Sequence, residues 1–461
     1  MVAKRHGLVS ARKAAGFSQE SLAEALRVAS SSVSNWERGK TEPVPYKRPK
    51  LAKLLDITAS ELEALLHEGI GEVLPAPIVP SKVVVTPRND ATFAAFEIPP
   101  QYKPSLDGAL VSLATLAHVD ESGVANLPAS AFAEDLPAQA ILSWLVGAAY
   151  NDVRSSGSPV VIRDIDEIVT TTKALDQLDR QFGGDYSRGL AVKYLSGRVM
   201  PLLRSPSSTP LRRELFQAAA VLCEVIGYMA YDGQLHGLAR HYFVQALRLV
   251  KEADNPTYGS FVLATMSHQA LYLDRPDHAL TLAQSAQHHA GKKSVPAVAA
   301  EAAMLEAVAF AALGDRSSST QALGRAEASF HRHGAVADVP YWVAHWDDAV
   351  FASFASTACL DLGDTAAAAP YLEVLWENAH HQVRRQVFAA GQLAKAALLE
   401  REVERAVHYG TMAVEAAAAA KSKRSRRIVR DLLVQLDGHR QLAPVRELTS
   451  KAVALLPSEA L

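Results

Sequence analysis

Residues 17–43 read FSQESLAEALRVASSSVSNWERGKTEP, and the fold of the N-terminal part of the chain turns on them. Phe17 to Ala23 open a short helix after Gly16, with Leu22, Ala23 and Leu26 as its apolar face. A turn follows at Arg27, Val28 and Ala29. The next helix spans 30–38 and is stopped by Gly39, since glycine takes the left-handed backbone of a helix end without a Cβ penalty. Val33 and Trp36 stand three apart and face inward, while Ser31, Ser34, Asn35 and Arg38, at i, i+3, i+4 and i+7, share the opposite face. A stripe of small hydrogen-bonding side chains ending in Arg suits a helix in the DNA major groove. Ser and Asn donate and accept at base edges, and their small size permits close approach.

The charge distribution agrees with this. The chain has 461 residues, which at about 100–200 residues per domain means two or more domains. Lys and Arg number 47 against 49 Asp and Glu, so the whole molecule is no basic coat protein. Residues 1–60, however, hold eleven basic and five acidic side chains, a net +6 that leaves −8 for the remainder. A basic head on an acidic body suggests that the head meets a polyanion. A hydrophobic fraction of 49% is ample for packed cores. Two cysteines, Cys223 and Cys359, make neither a disulfide framework nor a zinc site and fit a reducing compartment. No apolar run reaches the roughly 18 residues of a membrane helix. The first residues lack the apolar core of a secretory signal. The expectation is a cytoplasmic, nucleoid-associated protein with no membrane partner.

Ser18, Gln19, Glu20, Leu22 and Ala23, then Val33, Ser34, Trp36, Glu37, Arg38, Gly39 and Lys40, then Pro43, resemble the phage-repressor-like regulators of the xenobiotic-response-element type. The resemblance covers about 60 residues and implies five helices. The fourth would span 50–55, with Leu51, Leu54 and Leu55 inward. The fifth would span 59–67, with Leu62, Leu65 and Leu66 inward, and Thr58 with Glu61 makes a capping box at its start. It also implies a double-stranded DNA partner. Gln19, Arg38 and Lys40 would then meet phosphates, while Ser30, Ser31 and Asn35 face base edges with Ser34 beside them. Phosphate contacts fix register and base contacts specify. Arg12 and Glu37 occupy the positions of a structural ion pair in some relatives. Two departures stand out: Arg27 replaces the usual turn Gly, and Ala29 replaces the usual Ser or Thr cap, a loss of about 1 kcal/mol.

Beyond residue 70 the character changes. Pro75, Pro77, Pro80, Pro87, Pro99, Pro100 and Pro104 exclude continuous helix, since each proline removes a donor and clashes with the preceding turn. Residues 71–134 therefore read as a Pro-rich linker between a head at 1–70 and a body at 135–461. In the body Gly227 stands twelve residues before Ala239, a spacing at which small residues let two paired helices touch, followed by Phe243 and Ala246. Ala279, Ala283 and Ala286 repeat the pattern 40 residues on, Leu323 and Ala326 weakly again, and Ala406, Gly410 and Ala413 once more. Gly314-Asp315 and Gly363-Asp364 mark comparable turns. About five helix pairs of irregular length follow, of tetratricopeptide-like spacing. The fold class is all-α: a five-helix helix-turn-helix domain, then an α-solenoid. Trp144, the stretch 181–184 and the stretch 230–247 resemble the bodies of actinobacterial-type regulators that pair this head with such repeats. The resemblance implies control of development or secondary metabolism. More distantly, the arrangement is similar to regulators whose repeat body binds a short signal peptide.

A solenoid leaves a concave surface lined by one helix of each pair. Tyr228, Tyr231, His268 and Tyr272, on the first helices of two units, either line that surface as a ligand site or pack between helices. Lys421, Lys423, Arg424, Arg426, Arg427 and Arg430 form a basic run: a solvated helix face, a second phosphate contact or a docking surface. No catalytic residue, metal or cofactor is expected. His-Glu-x-x-His and the phosphate-cradling loop are absent, and His288-His289, His331, His333 and His380-His381 have no matching ligand cluster. The reading is a homodimeric transcription regulator on a palindromic operator, responding through its body to a peptide, small molecule or protein. The alternative is a helical-repeat scaffold whose head only docks it near DNA or another regulator.

Overall fold

The computed structural model describes residues 5–26, 28, 30–38, 43, 48–55, 57–66, 102–122, 144, 152–153, 156–182, 184–290, 295–333, 339–344, 346–379, 382–420 and 422–456. Among them every regular element is helical, and no helix is long and apolar enough to cross a membrane. The chain divides into two compact units, Met1–Thr92 and Phe93–Leu461.

The first unit holds α1 (His6–Ala14), α2 (Gln19–Leu26), α3 (Ser30–Glu37), α4 (Arg48–Leu54) and α5 (Ala59–Leu66). Their core joins Leu8, Leu22, Ala23, Leu26, Val33, Trp36, Leu51, Leu55, Leu62 and Leu66. The inward residues expected of α2 to α5 are all in or against it, Leu54 and Leu65 at its margin. Gly16, at φ +79°, ends α1: its N–H reaches Lys13 O at 3.0 Å and that of Phe17 reaches Arg12 O at 3.1 Å. The Thr58–Glu61 box forms, with Thr58 N–H donating to Glu61 Oε2 (2.7 Å) and Glu61 N–H to Thr58 Oγ1 (3.2 Å).

The second unit opens with α6 (Leu106–Glu121), α7 (Ile162–Phe182) and α8 (Gly184–Tyr194), the last prolonged by a π turn at Leu195–Val199. Five helical hairpins follow: α9 (Thr209–Asp232) with α10 (His236–Ala253), α11 (Pro256–Tyr272) with α12 (Pro276–Ala290), α13 (Pro296–Ala312) with α14 (Arg316–His333), α15 (Asp348–Asp361) with α16 (Thr365–Glu377), and α17 (Val383–Leu399) with α18 (Val403–Ala419). Each first helix also packs on the first helix of the next hairpin. Two more helices, α19 (Lys423–Leu436) and α20 (Ala443–Leu455), cover the fifth hairpin.

The five hairpin turns are built alike. Gln234, Asp274, Gly314, Gly363 and Arg401 all have positive φ, between 58° and 78°. In each turn the next residue's N–H bonds the carbonyl five residues back: Leu235 to Ala230, Arg275 to Ala270, Asp315 to Phe310, Asp364 to Cys359 and Glu402 to Ala397, all at 2.8–2.9 Å. The positive-φ residue itself bonds three back, at 2.9–3.0 Å. This paired bonding satisfies the last carbonyls of a helix and reverses the chain. In register with the turns, small residues twelve apart face each other across every hairpin: Gly227 and Ala239, Ser267 and Ala279, Ala307 and Ser319, Ser356 and Ala368, Ala394 and Ala406. A Cβ on Gly227 would lie 2.6 Å from the Phe243 ring and 3.2 Å from Ala239 O. Ser267 Oγ donates to Ala279 O, and Ser319 Oγ to Ala307 O.

Residues 102–122 fall within the stretch expected to be linker, yet α6 belongs to the second unit. Leu106, Leu110, Leu113 and Ala117 are buried in its core. Ser105 caps the helix by accepting from Gly108 N–H at 3.1 Å. The fully buried Arg248 of α10 donates to Lys103 O (2.7 Å) and Pro104 O (2.9 Å). Pro104 closes the proline-rich stretch just before a four-residue apolar period begins, so the two signals abut. The remaining residues of the expected linker, 71–101 and 123–134, lie outside the described residues.

Candidate nucleic-acid interface and aromatic cluster

The first site is built on α2 and α3. Ser18 and Ser21 cap the start of α2 reciprocally: Ser18 N–H donates to Ser21 Oγ (2.8 Å) and Ser21 N–H to Ser18 Oγ (3.0 Å). This places Gln19 in the first turn. The far end of α3 is held from behind by α1. Arg5 donates through its backbone N–H to Glu37 O (2.8 Å) and through Nη1 to Trp36 O (3.1 Å), satisfying carbonyls a helix end leaves open. The buried Arg12 donates through Nε to Glu37 Oε1 at 2.6 Å and through Nη1 to Phe17 O at 2.7 Å. Gln19 Nε2 donates to the other carboxylate oxygen, Glu37 Oε2. Arg12, Gln19 and Glu37 thus tie α1, the start of α2 and the end of α3 into one brace, and Glu37 sits buried inside it with its charge answered.

On the free side of α3, Ser34 and Asn35 are half-buried and Arg38 is exposed. Ser30 and Ser31 stand in its first turn, with side chains outside the described residues, as are Lys40, Arg27 and Ala29 entirely. Gln19 serves the brace with one amide hydrogen, and a carboxamide nitrogen carries two donors. Its bond to Glu37 has no signal in the residue pattern, which pointed only outward.

The second site lies in the body. Tyr228 and Tyr231 on α9 and His268 and Tyr272 on α11 come together: Tyr231 lies 5.6 Å from Tyr228, 5.6 Å from His268 and 5.3 Å from Tyr272, ring centre to ring centre. His236 of α10 and Phe354 of α15 join them. The basic run enters the same cluster. Arg424, 5% exposed, has its guanidinium 4.6 Å from the centre of the Tyr231 ring, 5.5 Å from Phe388, 5.7 Å from Tyr228 and 5.9 Å from Tyr272. Its Nη1 donates to Tyr228 Oη at 2.9 Å. Arg427 lies 4.4 Å from the Tyr272 ring. Two features that stand about 190 residues apart in sequence are one cluster in space. Arg424 is buried, so the run is not uniformly a solvated face, and Lys421 lies outside the described residues. Burial pushes the His236 imidazole down to about 4, with the Arg427 and Arg424 charges adding to the effect.

Among the described residues no group of His, Cys, Asp and Glu could hold a metal ion. Cys223 and Cys359 are both buried, and burial raises both thiols above the ordinary range. The family model described as Helix-turn-helix matches residues 8–62. No curated protein and no solved structure matches the chain. The head is a helix-turn-helix domain of the phage-repressor-like kind, and the chain is a DNA-binding regulator.

Proposed function

We propose that the chain is a sequence-specific transcriptional regulator that binds a palindromic operator as a homodimer, and that its body is a tetratricopeptide-like sensor of a peptide, small molecule or protein signal. The observation that carries the reading half is α3 itself. It is braced from behind through Arg12–Glu37 and presents Ser34, Asn35 and Arg38 on its free side. Asn35 reads a base, with Ser30, Ser31 and Ser34 as further base-edge contacts, and Gln19, Arg38 and Lys40 set register on phosphates. The sensing half is supported by the five like-built hairpins with small residues twelve apart, because such stacks expose an extended inner face. An effector acts by binding unequally to two arrangements of the body that do and do not permit both heads to engage. The chain is read as having no enzymatic activity.

Selection of the full-length protein from random duplex DNA tests this. The expected product is an inverted repeat with half-site centres one helical turn, about 34 Å, or a multiple apart. Recovery of DNA without any shared sequence would instead favour a scaffold that uses the head only to dock.

A further inference from the structure

The cluster around Arg424 has the composition of a binding site rather than of an ordinary helix contact. Three tyrosines and a phenylalanine, from α9, α11 and α17, turn rings toward one guanidinium. The Asp232 carboxylate lies near enough for its charge to favour the guanidinium, but it accepts from Arg384 Nη2 (2.7 Å) and Ser422 Oγ (3.1 Å). Arg424 Nε, Tyr231 Oη and Tyr272 Oη are buried without a hydrogen-bond partner among the described residues. The cage therefore holds its cation chiefly through ring faces and keeps unused hydrogen-bonding capacity. The surrounding contacts form a strap. Lys423 Nζ donates to Gly233 O (3.1 Å), and Gln234 Nε2 to Lys423 O (3.4 Å). Residues 422–424 thus grip the first hairpin turn at 232–234, and Arg384 of α17 reaches the same turn. The last helices of the body are fastened to its first hairpin through this point.

We propose that Tyr228, Tyr231, Tyr272 and Phe388 form a guanidinium-binding site in which Arg424 is the resident ligand, so that the body is latched end to end by its own side chain. The outside ligand the site fits is an arginine-bearing peptide, which exchanges with Arg424 and frees α19. Only the outside ligand rests on the sensing role proposed above; the latch stands on the contacts themselves.

Hydrogen exchange of the α19 amides in the full-length protein tests it. Arg424→Ala is expected to speed their exchange roughly tenfold or more, as loss of a desolvated cation–π contact implies. In the wild type an excess of N-ethylguanidinium is expected to compete with Arg424 for the cage and speed the exchange of α19, while the neutral N-ethylurea leaves it unchanged. Wild-type exchange in R424A, or equal effects of the two compounds on the wild type, overturns the proposal. Tyr272 provides a second approach that keeps the arginine. Tyr272→Leu should speed exchange and Tyr272→Phe should leave it as in wild type, because the ring face and not the hydroxyl holds the cation. Equal behaviour of the two variants contradicts the cage. If R424A opens α19 while operator affinity stays fixed, the latch stands and the sensing role falls.

Discussion

Glu37 is an acidic side chain at the end of a helix proposed to face a polyanion, and its surroundings resolve the apparent conflict. It is turned back into the head, buried, and bonded by Arg12 and Gln19. A buried ion pair is weak support for stability taken as a whole, but removing one partner strands the other charge. Arg12→Ala should therefore cost the head about 3–5 kcal/mol, whereas the double change Arg12→Met with Glu37→Met should recover most of it. Hydrogen exchange of α1–α3 in the full chain reads this, and equal loss in single and double variants would contradict it. Arg38 is different in kind: it is exposed, and the role proposed for it is a phosphate contact. Arg38→Ala should weaken binding to all DNA sequences alike and lower the steepness of salt dependence by about one ion. A change in base preference would assign it another role. The pairing of Arg12 with Glu37 was legible only through the family resemblance, in some of whose members these two positions form an ion pair. The share Gln19 takes in it was not, since the same side chain suits an outward phosphate contact.

At the scale of elements, the repeat is carried by backbone geometry more than by residue identity. Gly314 and Gly363 announced two hairpin turns in the sequence, while Gln234, Asp274 and Arg401 adopt the same left-handed conformation without being glycine. That is why the unit lengths looked irregular: three of five turns carried no compositional mark. L-residues pay roughly 1–2 kcal/mol for this conformation, less for Asp, which tolerates it. Arg401→Gly should thus raise the urea midpoint of the body, and Gly363→Ala should lower it by a comparable step, with opposite signs as the check. Gly227→Ala should destabilise by about 1–3 kcal/mol, because the added methyl meets the Phe243 ring and the Ala239 carbonyl. Unchanged stability there would mean the hairpin can part at little cost. The boundary of the body was misplaced for a related reason. Seven prolines up to Pro104 overshadowed the apolar period of α6, whose place depends on Arg248, far along the chain.

The whole molecule combines a head whose function was legible from a 27-residue stretch with a body whose closure was not. Contacts between 228–272 and 384–427 span too much sequence for any local pattern to show. The body's interior also fixes how its stability depends on pH. Burial, with the Asp176 charge adding, raises the Glu224 carboxyl to about 8, and burial with Glu224 nearby raises Glu301 to about 8. Both are protonated in the folded body over a range where the unfolded chain has already ionised them, so stability falls as pH rises from the ordinary carboxylate range toward 8. The buried His236 and His241, held down to about 4, act in the opposite direction but only below their ordinary value near 6.5. Between pH 6.5 and 8 these carboxyls act together with Asp179, which burial raises to about 7, and the urea midpoint of the body should fall; Glu301→Gln should flatten the decline, and a midpoint that rises over this window would be contrary. The reading head is tested most directly on the full chain, by measuring affinity for every single-base variant of its selected operator with wild type and with Asn35→Ala. Discrimination of about 1–3 kcal/mol should vanish at one base pair in each half-site, at symmetric positions, and persist elsewhere. Retention of every preference by N35A, or uniform weakening at all positions, would contradict the assignment of α3 as the helix that reads DNA.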